Sequence, residues 1–241
     1  MMDFYWYVVL ALIAFLYASV GHGGASGYLA LMAIIGVETY FMRSTALTLN
    51  LFVSMVAFIN YYRKGFFRIK LLWPFVIASM PMAYLGARLT IDPHTYKIIL
   101  GCFLLIATTR MIFQPKEEKA IFKFSILAAV LIGSFLGFFS GLIGIGGGII
   151  LTPILILLGW ANMKEAAAVS AIFIFLNSAT GLIGVVHTGF QLVPDFYLWV
   201  LIGVSAGLLG SWVGSSKLSL HGLRWVLSGI LVMASIKLFL Y

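Results

Sequence analysis

The sequence is 241 residues long; 63% of its residues are hydrophobic, only 9% are charged, and the mean hydropathy is +1.11. A soluble domain would carry roughly 25% charged residues, so this composition excludes a soluble fold. The net charge of +8 would suit a nucleic-acid partner, but Lys and Arg also accumulate in the cytoplasmic loops of membrane proteins. We therefore expect a lipid bilayer as the main partner and no nucleic acid.

Charged residues are absent from four long stretches of the chain, 4–37, 44–62, 124–163 and 166–194. A helix of about 20 predominantly apolar residues spans a bilayer, and it satisfies its own backbone hydrogen bonds in hydrocarbon. The alternation of apolar and polar residues that marks a membrane barrel is missing. The sequence therefore predicts an all-α, multi-pass integral membrane protein.

Ten apolar segments follow one another along the chain, and two of them are short. The segments are 4–20, 24–37, 40–62, 71–90, 96–113, 124–143, 146–160, 164–187, 194–215 and 220–241. A helix of 14 residues is about 21 Å long, whereas the hydrocarbon core is about 30 Å thick. We interpret 4–20 with 24–37, and 124–143 with 146–160, as helical hairpins whose glycine-rich tips lie inside the membrane.

A hydrophilic linker at 114–123 separates a first membrane repeat, 1–113, from a second, 124–241, and we expect this linker to be cytoplasmic. The two parts match at an offset of 123 or 124 residues. The matched pairs are Phe15 and Phe138, Gly21 and Gly144, Gly23 and Gly146, Gly24 and Gly147, Gly36 and Gly159, Gly65-Phe66 and Gly189-Phe190, and Gly86 and Gly210. These matches favour an internal duplication.

Each repeat consists of one hairpin and three further membrane crossings, so an odd number of crossings inverts the second repeat relative to the first. The inverted arrangement places 11 Lys and Arg residues inside and 4 outside, as the preference for internal positive charge requires. We therefore expect two inverted-topology repeats, each a glycine-tipped hairpin plus three transmembrane helices.

The two tips, 21–27 and 144–148, contain the clustered glycines of the sequence. Glycine allows a tight reversal and leaves backbone N–H groups accessible, and a helix N-terminus adds unpaired donors and a partial positive charge. Broken helices from two repeats that meet near the midplane form the substrate site in many transporters. The alternative is that these glycines only allow close helix packing.

His22 lies within the first tip, in a stretch of 34 residues that contains no charged side chain. Ionisable groups within a membrane commonly mark substrate or proton pathways, and histidine normally titrates near pH 6.5. Transport is then expected to change between about pH 5.5 and 7.5. A neutral histidine that caps a carbonyl group is the alternative. The second tip has Ile145 at this place.

Polar residues of the third segment in each half complete the predicted site, although most such residues bond only to helix carbonyls. The predicted substrate-binding residues are Gly21, His22, Gly23, Gly24, Ser26, Thr48, Gly144, Gly146, Gly147, Gly148, Ser170 and Asn177. Catalytic motifs and a phosphate-binding loop are absent, and the single cysteine, Cys102, offers no metal set. We expect no enzymatic activity, no cofactor and no metal.

With its segments 19–24 and 141–148, each followed by an apolar run and then Gly36 or Gly159, the whole chain resembles the sulfite exporter TauE/SafE family. The resemblance implies secondary transport of a small sulfur-containing anion, such as sulfite, a sulfonate or thiosulfate, across a prokaryotic inner membrane. The carried anion, the direction and the coupling ion are left open, with protons as one option. A membrane-embedded binding or assembly subunit and an anion channel are the alternatives, and a homo-oligomer is compatible with all three.

Overall fold

The computed structural model describes residues 4–112, 123–216, 231–233 and 235–240, and every regular element in that part of the chain is an α-helix. The helices are α1 (Phe4–Ala18), α2 (Ala25–Ile35), α3 (Thr39–Arg63), α4 (Ile69–Arg88), α5 (Pro93–Ile112), α6 (Ile126–Ile143), α7 (Gly148–Leu157), α8 (Met163–Val186) and α9 (Phe196–Ser215). Of these described helices, α3, α4, α6, α8 and α9 are long and apolar enough to cross a membrane. The predicted all-α membrane fold is confirmed.

The first nine predicted segments each coincide with a helix, and no boundary differs by more than three residues. The tenth segment is helical at 231–233 and 235–240, and the rest of it lies outside the described residues. Most of the predicted linker, 114–122, also lies outside them. The division into two repeats stays a prediction, as does their inversion.

Polar contacts hold together the helix ends at one side of the bundle. Asn162 caps α8 by accepting hydrogen bonds from the backbone N–H groups of Lys164 and Glu165, and the Glu165 carboxylate accepts one from the Asn162 N–H. Glu165 also pairs with Arg68 at the start of α4 (2.7 Å). Lys164 donates to the carbonyl oxygen of Ser215 at the end of α9 (3.4 Å). The start of α4, the start of α8 and the end of α9 therefore lie together.

Two pairs of helices run parallel in very close contact along glycine residues. On α6, Gly133, Gly137 and Gly141 face the backbone of Phe75, Ser79 and Ala83 on α4. On α9, Gly210 and Gly214 face the backbone of Phe15 and Ser19 at the end of α1. In each pair a Cβ atom on the glycine would overlap the facing carbonyl oxygen. Small residues allow this approach in membranes.

Helices α3 and α8 run antiparallel through the centre of the protein. Asn50 of α3 contacts Ser178 of α8, while Leu47, one turn earlier on α3, contacts Gly181, further along α8. The hairpin tip between α1 and α2 lies against this pair, with Gly23 beside Asn50 in the middle of α3. The fold therefore brings the glycine tips to the centre of the bundle.

We predict that Gly141→Ala destabilises the protein, because its Cβ would overlap the Ala83 carbonyl oxygen and lie 2.9 Å from the Ala87 nitrogen. Overpacking of this kind costs roughly 1–3 kcal/mol, which thermal unfolding of the detergent-solubilised protein would detect. Gly181→Ala is the matched control, since its Cβ would make ordinary van der Waals contacts, with Leu47 side-chain atoms at 3.4 and 3.6 Å and the Gly141 Cα atom at 3.7 Å. Equal melting temperatures for the two variants would contradict the role given to the glycine face.

Candidate functional site at the glycine tips

The first tip is a compact reversal between α1 and α2. Gly21 and Gly24 have φ angles of 78° and 95°, in the left-handed region that glycine adopts without strain. The N–H of Ala25 donates to Oδ1 of Asn50 (3.2 Å). The N–H groups of Gly23 and Gly24 have no hydrogen-bond acceptor among the described residues. The tip therefore offers unpaired backbone donors at the N-terminus of α2.

The second tip repeats this geometry between α6 and α7. Gly144, Gly146 and Gly147 have φ angles of 85°, 81° and 73°. The N–H of Gly144 closes α6 by donating to Ser140, whereas those of Gly146 and Gly147 find no acceptor in the described part of the chain. Every residue from 144 to 148 is buried. A second set of unpaired donors thus lies at the N-terminus of α7.

Asn50 lies between the two tips and contacts both. Its Nδ2 donates to Oγ of Ser178 (3.4 Å), while its Oδ1 accepts from the first tip. A Cβ atom on Gly23 would overlap Oδ1 of Asn50, and one on Gly146 would lie 2.6 Å from Nδ2. Glycine is required at both places because the tips approach the same side chain. The two tips therefore meet at one side chain, and the substrate site expected between them stays a prediction.

His22 reaches from the first tip into the second half of the chain. Its Nε2 lies 3.1 Å from the carbonyl oxygen of Gly148 and 2.9 Å from Oγ1 of Thr152. Because a carbonyl oxygen only accepts, Nε2 carries the proton in this arrangement. Thr152 in turn donates to Oγ of Ser170 (2.7 Å). A buried hydrogen-bond chain thus joins His22, Thr152 and Ser170.

Three other predicted site residues have mainly local partners. Ser26 donates to Oη of Tyr17 (2.6 Å), which ties α2 to α1. Thr48 donates to the Ser44 carbonyl oxygen within its own helix (2.7 Å), as most intramembrane hydroxyls do. Asn177 donates to the Phe173 carbonyl oxygen (2.8 Å), but its buried Oδ1 has no partner among the described residues. Their contact with substrate stays a prediction.

Sequence reasoning left out two residues of this site. Asn50 is one of the polar residues of the third segment, 40–62, and Thr152 lies in the seventh segment, 146–160; neither is among the predicted substrate-binding residues. The available signal was weak: Thr152 follows Gly148 by four residues, so both lie on one face of α7, toward the same tip. Among the described residues, no three His, Cys, Asp or Glu side chains come close enough together to hold a metal ion.

Broken apolar helices that meet in the centre of a multi-pass bundle define a membrane transporter of the discontinuous-helix type. Residues 6–238 match the sulfite exporter TauE/SafE family. The chain belongs to this family, and the resemblance inferred from its glycine tips is confirmed.

Two relatives from bacteria match almost the whole chain. It is 33% identical over 237 residues to "Probable membrane transporter protein y4hK" of Sinorhizobium fredii, covering 96% of both chains. It is 25% identical over 255 residues to a "Probable membrane transporter protein" of Haemophilus influenzae, covering 97% of this chain and 96% of that one. No solved structure matches. Family and relatives together identify a multi-pass membrane transporter.

We predict that Gly23→Val and Gly147→Val each abolish transport while the protein still reaches the membrane. A branched side chain at Gly23 would displace Asn50, and at Gly147 it would meet Phe173 at 3.0 Å, so both would obstruct the unpaired amides. Gly36→Val is the matched control. Gly36 has a φ angle of 80°, close to that of Gly147, but nothing lies within 4 Å of its Cβ position.

Uptake into vesicles and membrane abundance of each variant provide the measurement. Normal transport by both tip variants would make the tips packing elements and move the site elsewhere. Loss of transport in the Gly36 control as well would attribute the effect to backbone strain.

Proposed function

We propose that this protein is a secondary transporter that moves a small sulfur-containing anion, of the sulfite, sulfonate or thiosulfate class, across the inner membrane of its cell. The observation that carries the proposal is the position of Asn50, which contacts two glycine tips with unpaired backbone N–H groups. Membership of the sulfite exporter family supports the substrate class.

The electrostatics of the site favour an anion. The N-termini of α2 and α7 both lie at the tips, and each contributes a partial positive charge as well as N–H donors. The stretches that form the tips and the middle of α3 and α8 contain no Asp or Glu. Sulfur oxyanions carry several oxygen atoms that accept hydrogen bonds from different directions. Two opposed sets of donors suit such a ligand better than a cation or a neutral solute.

Two inverted repeats supply the machinery for alternating access in this proposal. The antiparallel contact of α3 with α8 supports inversion, because these helices occupy the same place in the two halves. Equivalent glycines also make equivalent contacts: Gly86 faces Phe138, and Gly210 faces Phe15.

We predict that a cysteine introduced at position 118 of the linker, in a protein that lacks Cys102, is not labelled by membrane-impermeant thiol reagents added from outside. Labelling from outside would contradict the inverted topology.

Transport from an enclosed site requires that a barrier opens on one side at a time. The residues of both tips are buried, and the hydrogen bonds of His22 to Gly148 and Thr152 connect the first tip to the second hairpin. Movement of one repeat against the other would break these bonds. The titratable ring of His22 is also a candidate for coupling to a proton gradient.

Counterflow in proteoliposomes tests the function directly. Vesicles loaded with unlabelled sulfite, thiosulfate or a sulfonate should accumulate the same anion, radiolabelled, from outside, and Gly147→Val should abolish the accumulation. Folded protein that exchanges none of the three would favour a binding or assembly subunit. Anion conductance without counterflow would favour a channel.

We predict that His22→Gln flattens the pH dependence of transport more than it weakens substrate binding. Glutamine retains an N–H donor for Gly148 and Thr152 but does not titrate. His22→Ala removes the donor too, so both properties should suffer. A sulfonate is the substrate of choice, because sulfite itself titrates near neutral pH. An unchanged pH profile in His22→Gln would leave the histidine a structural cap.

A further inference from the structure

Arg43 lies in the second turn of α3, at the end of the bundle opposite Arg68 and Glu165. Its Nη1 donates to the carbonyl oxygens of Leu89 (3.2 Å) and Leu142 (3.4 Å), and its Nη2 donates to Oγ1 of Thr188 (2.9 Å). Leu89 follows α4, Thr188 follows α8, and Leu142 is in the last turn of α6. The guanidinium therefore lies between two loops and the end of the helix that leads into the second tip.

Arg43 is also in direct contact with the second tip. A Cβ atom on Gly144 would lie 3.2 Å from the Cα and Cγ atoms of Arg43. At the corresponding place in the first half, Gly21 faces the backbone of Ala167. The two contacts are equivalent in the sequence repeat, since Gly144 corresponds to Gly21 and Ala167 to Arg43. At these equivalent positions in the described part of the chain, the second tip therefore contacts a cationic residue and the first contacts an alanine.

Among the described residues, Arg43 makes no ion pair with a carboxylate, unlike Arg68, which pairs with Glu165. The side chain is half-buried, and a charge in such a place is costly unless it is paired. Three of its five N–H bonds have acceptors. The other two have no acceptor among the described residues and are available to an anion.

Capping of the α6 carbonyl groups does not by itself require this charge. The next carbonyl oxygen along α6, that of Ile143, accepts a hydrogen bond from Oη of Tyr96 (3.0 Å). A neutral hydroxyl therefore satisfies the same kind of acceptor one residue away. Because guanidinium binds oxyanions with two parallel hydrogen bonds, the unpaired N–H groups of Arg43 suit a sulfur oxyanion.

We propose that Arg43 forms a second anion-binding site, on the outer side of the second glycine tip, where the substrate binds before or after it occupies the site at Asn50. This inference rests on the proposed function, since it assumes that the transported ligand is a sulfur oxyanion. Arg43 contacts the anion with its free N–H bonds while its other N–H bonds keep their present acceptors.

Equilibrium binding of radiolabelled sulfite, thiosulfate and a sulfonate to the purified full-length protein tests this site, with counterflow measured in parallel. Arg43→Gln should weaken binding at least about tenfold, the loss expected for hydrogen bonds to a charged group. Arg43→Lys keeps the charge but loses the paired N–H groups of the guanidinium. Its Kd should therefore lie between those of wild type and Arg43→Gln, at least about threefold above wild type. Arg88→Gln is the matched control.

Arg88 is a suitable control because it lies at the same end of the bundle but is exposed, against the ring of Tyr84. Its removal changes the net charge equally, and the Kd should stay within about twofold of wild type. An Arg43→Gln protein with wild-type Kd overturns the proposal, as does an equal loss in Arg88→Gln. If Arg43→Gln fails to fold, an unchanged Kd in Arg43→Lys overturns it.

Comparison of the two assays separates this inference from the function on which it rests. Wild-type protein that binds an anion without counterflow contradicts transport, and the Kd of the Arg43 variants still decides the binding site. Wild-type protein that binds none of the three anions overturns both. If the Arg43 variants retain both counterflow and the wild-type Kd, the outer site alone is overturned.

Discussion

The need to satisfy backbone N–H groups inside a membrane governs the centre of this protein. Each glycine tip interrupts a helix, and an interrupted helix leaves donors without carbonyl partners. The side chain of Asn50 accepts one of these donors, from Ala25. The rest stay available for a ligand. In the proposed function, the same interruption that leaves these donors unpaired supplies the hydrogen bonds that hold the anion.

The helices around the tips hold them in place by close contact. The glycine faces of α6 and α9 bring them against the backbones of α4 and α1, and the antiparallel pair α3 and α8 supplies the surface on which both tips rest. Small residues at the contacts leave little room for side-chain rearrangement. Each of these two close pairs joins a helix of the first half to a helix of the second.

The sequence was sufficient for the helices because the charge-free stretches and the glycine tips are local signals. Even the 14-residue segment at 24–37 was recognised by its length and flanking glycines. Contacts between distant residues could not be predicted from the sequence. His22 and Gly148 are 126 positions apart, and no periodicity indicates that they meet. The sequence indicates Arg43 only as one of the four positive charges expected outside, since nothing in its neighbours places it beside Gly144. Thr48 donates to a carbonyl oxygen of its own helix, as a polar residue in a membrane helix often does, and its contact with substrate stays a prediction.

The exchange of helix partners between the two halves has a consequence for how the protein is made. The glycine-lined contact of α4 is with α6, and that of α1 is with α9, so each half of the chain depends on a helix from the other. When the ribosome has completed only the first half, the surfaces of α1 and α4 that these glycines contact have not yet met their partner helices. Neither half is then a module that can mature alone, and a split gene would have to deliver both products to the same patch of membrane together.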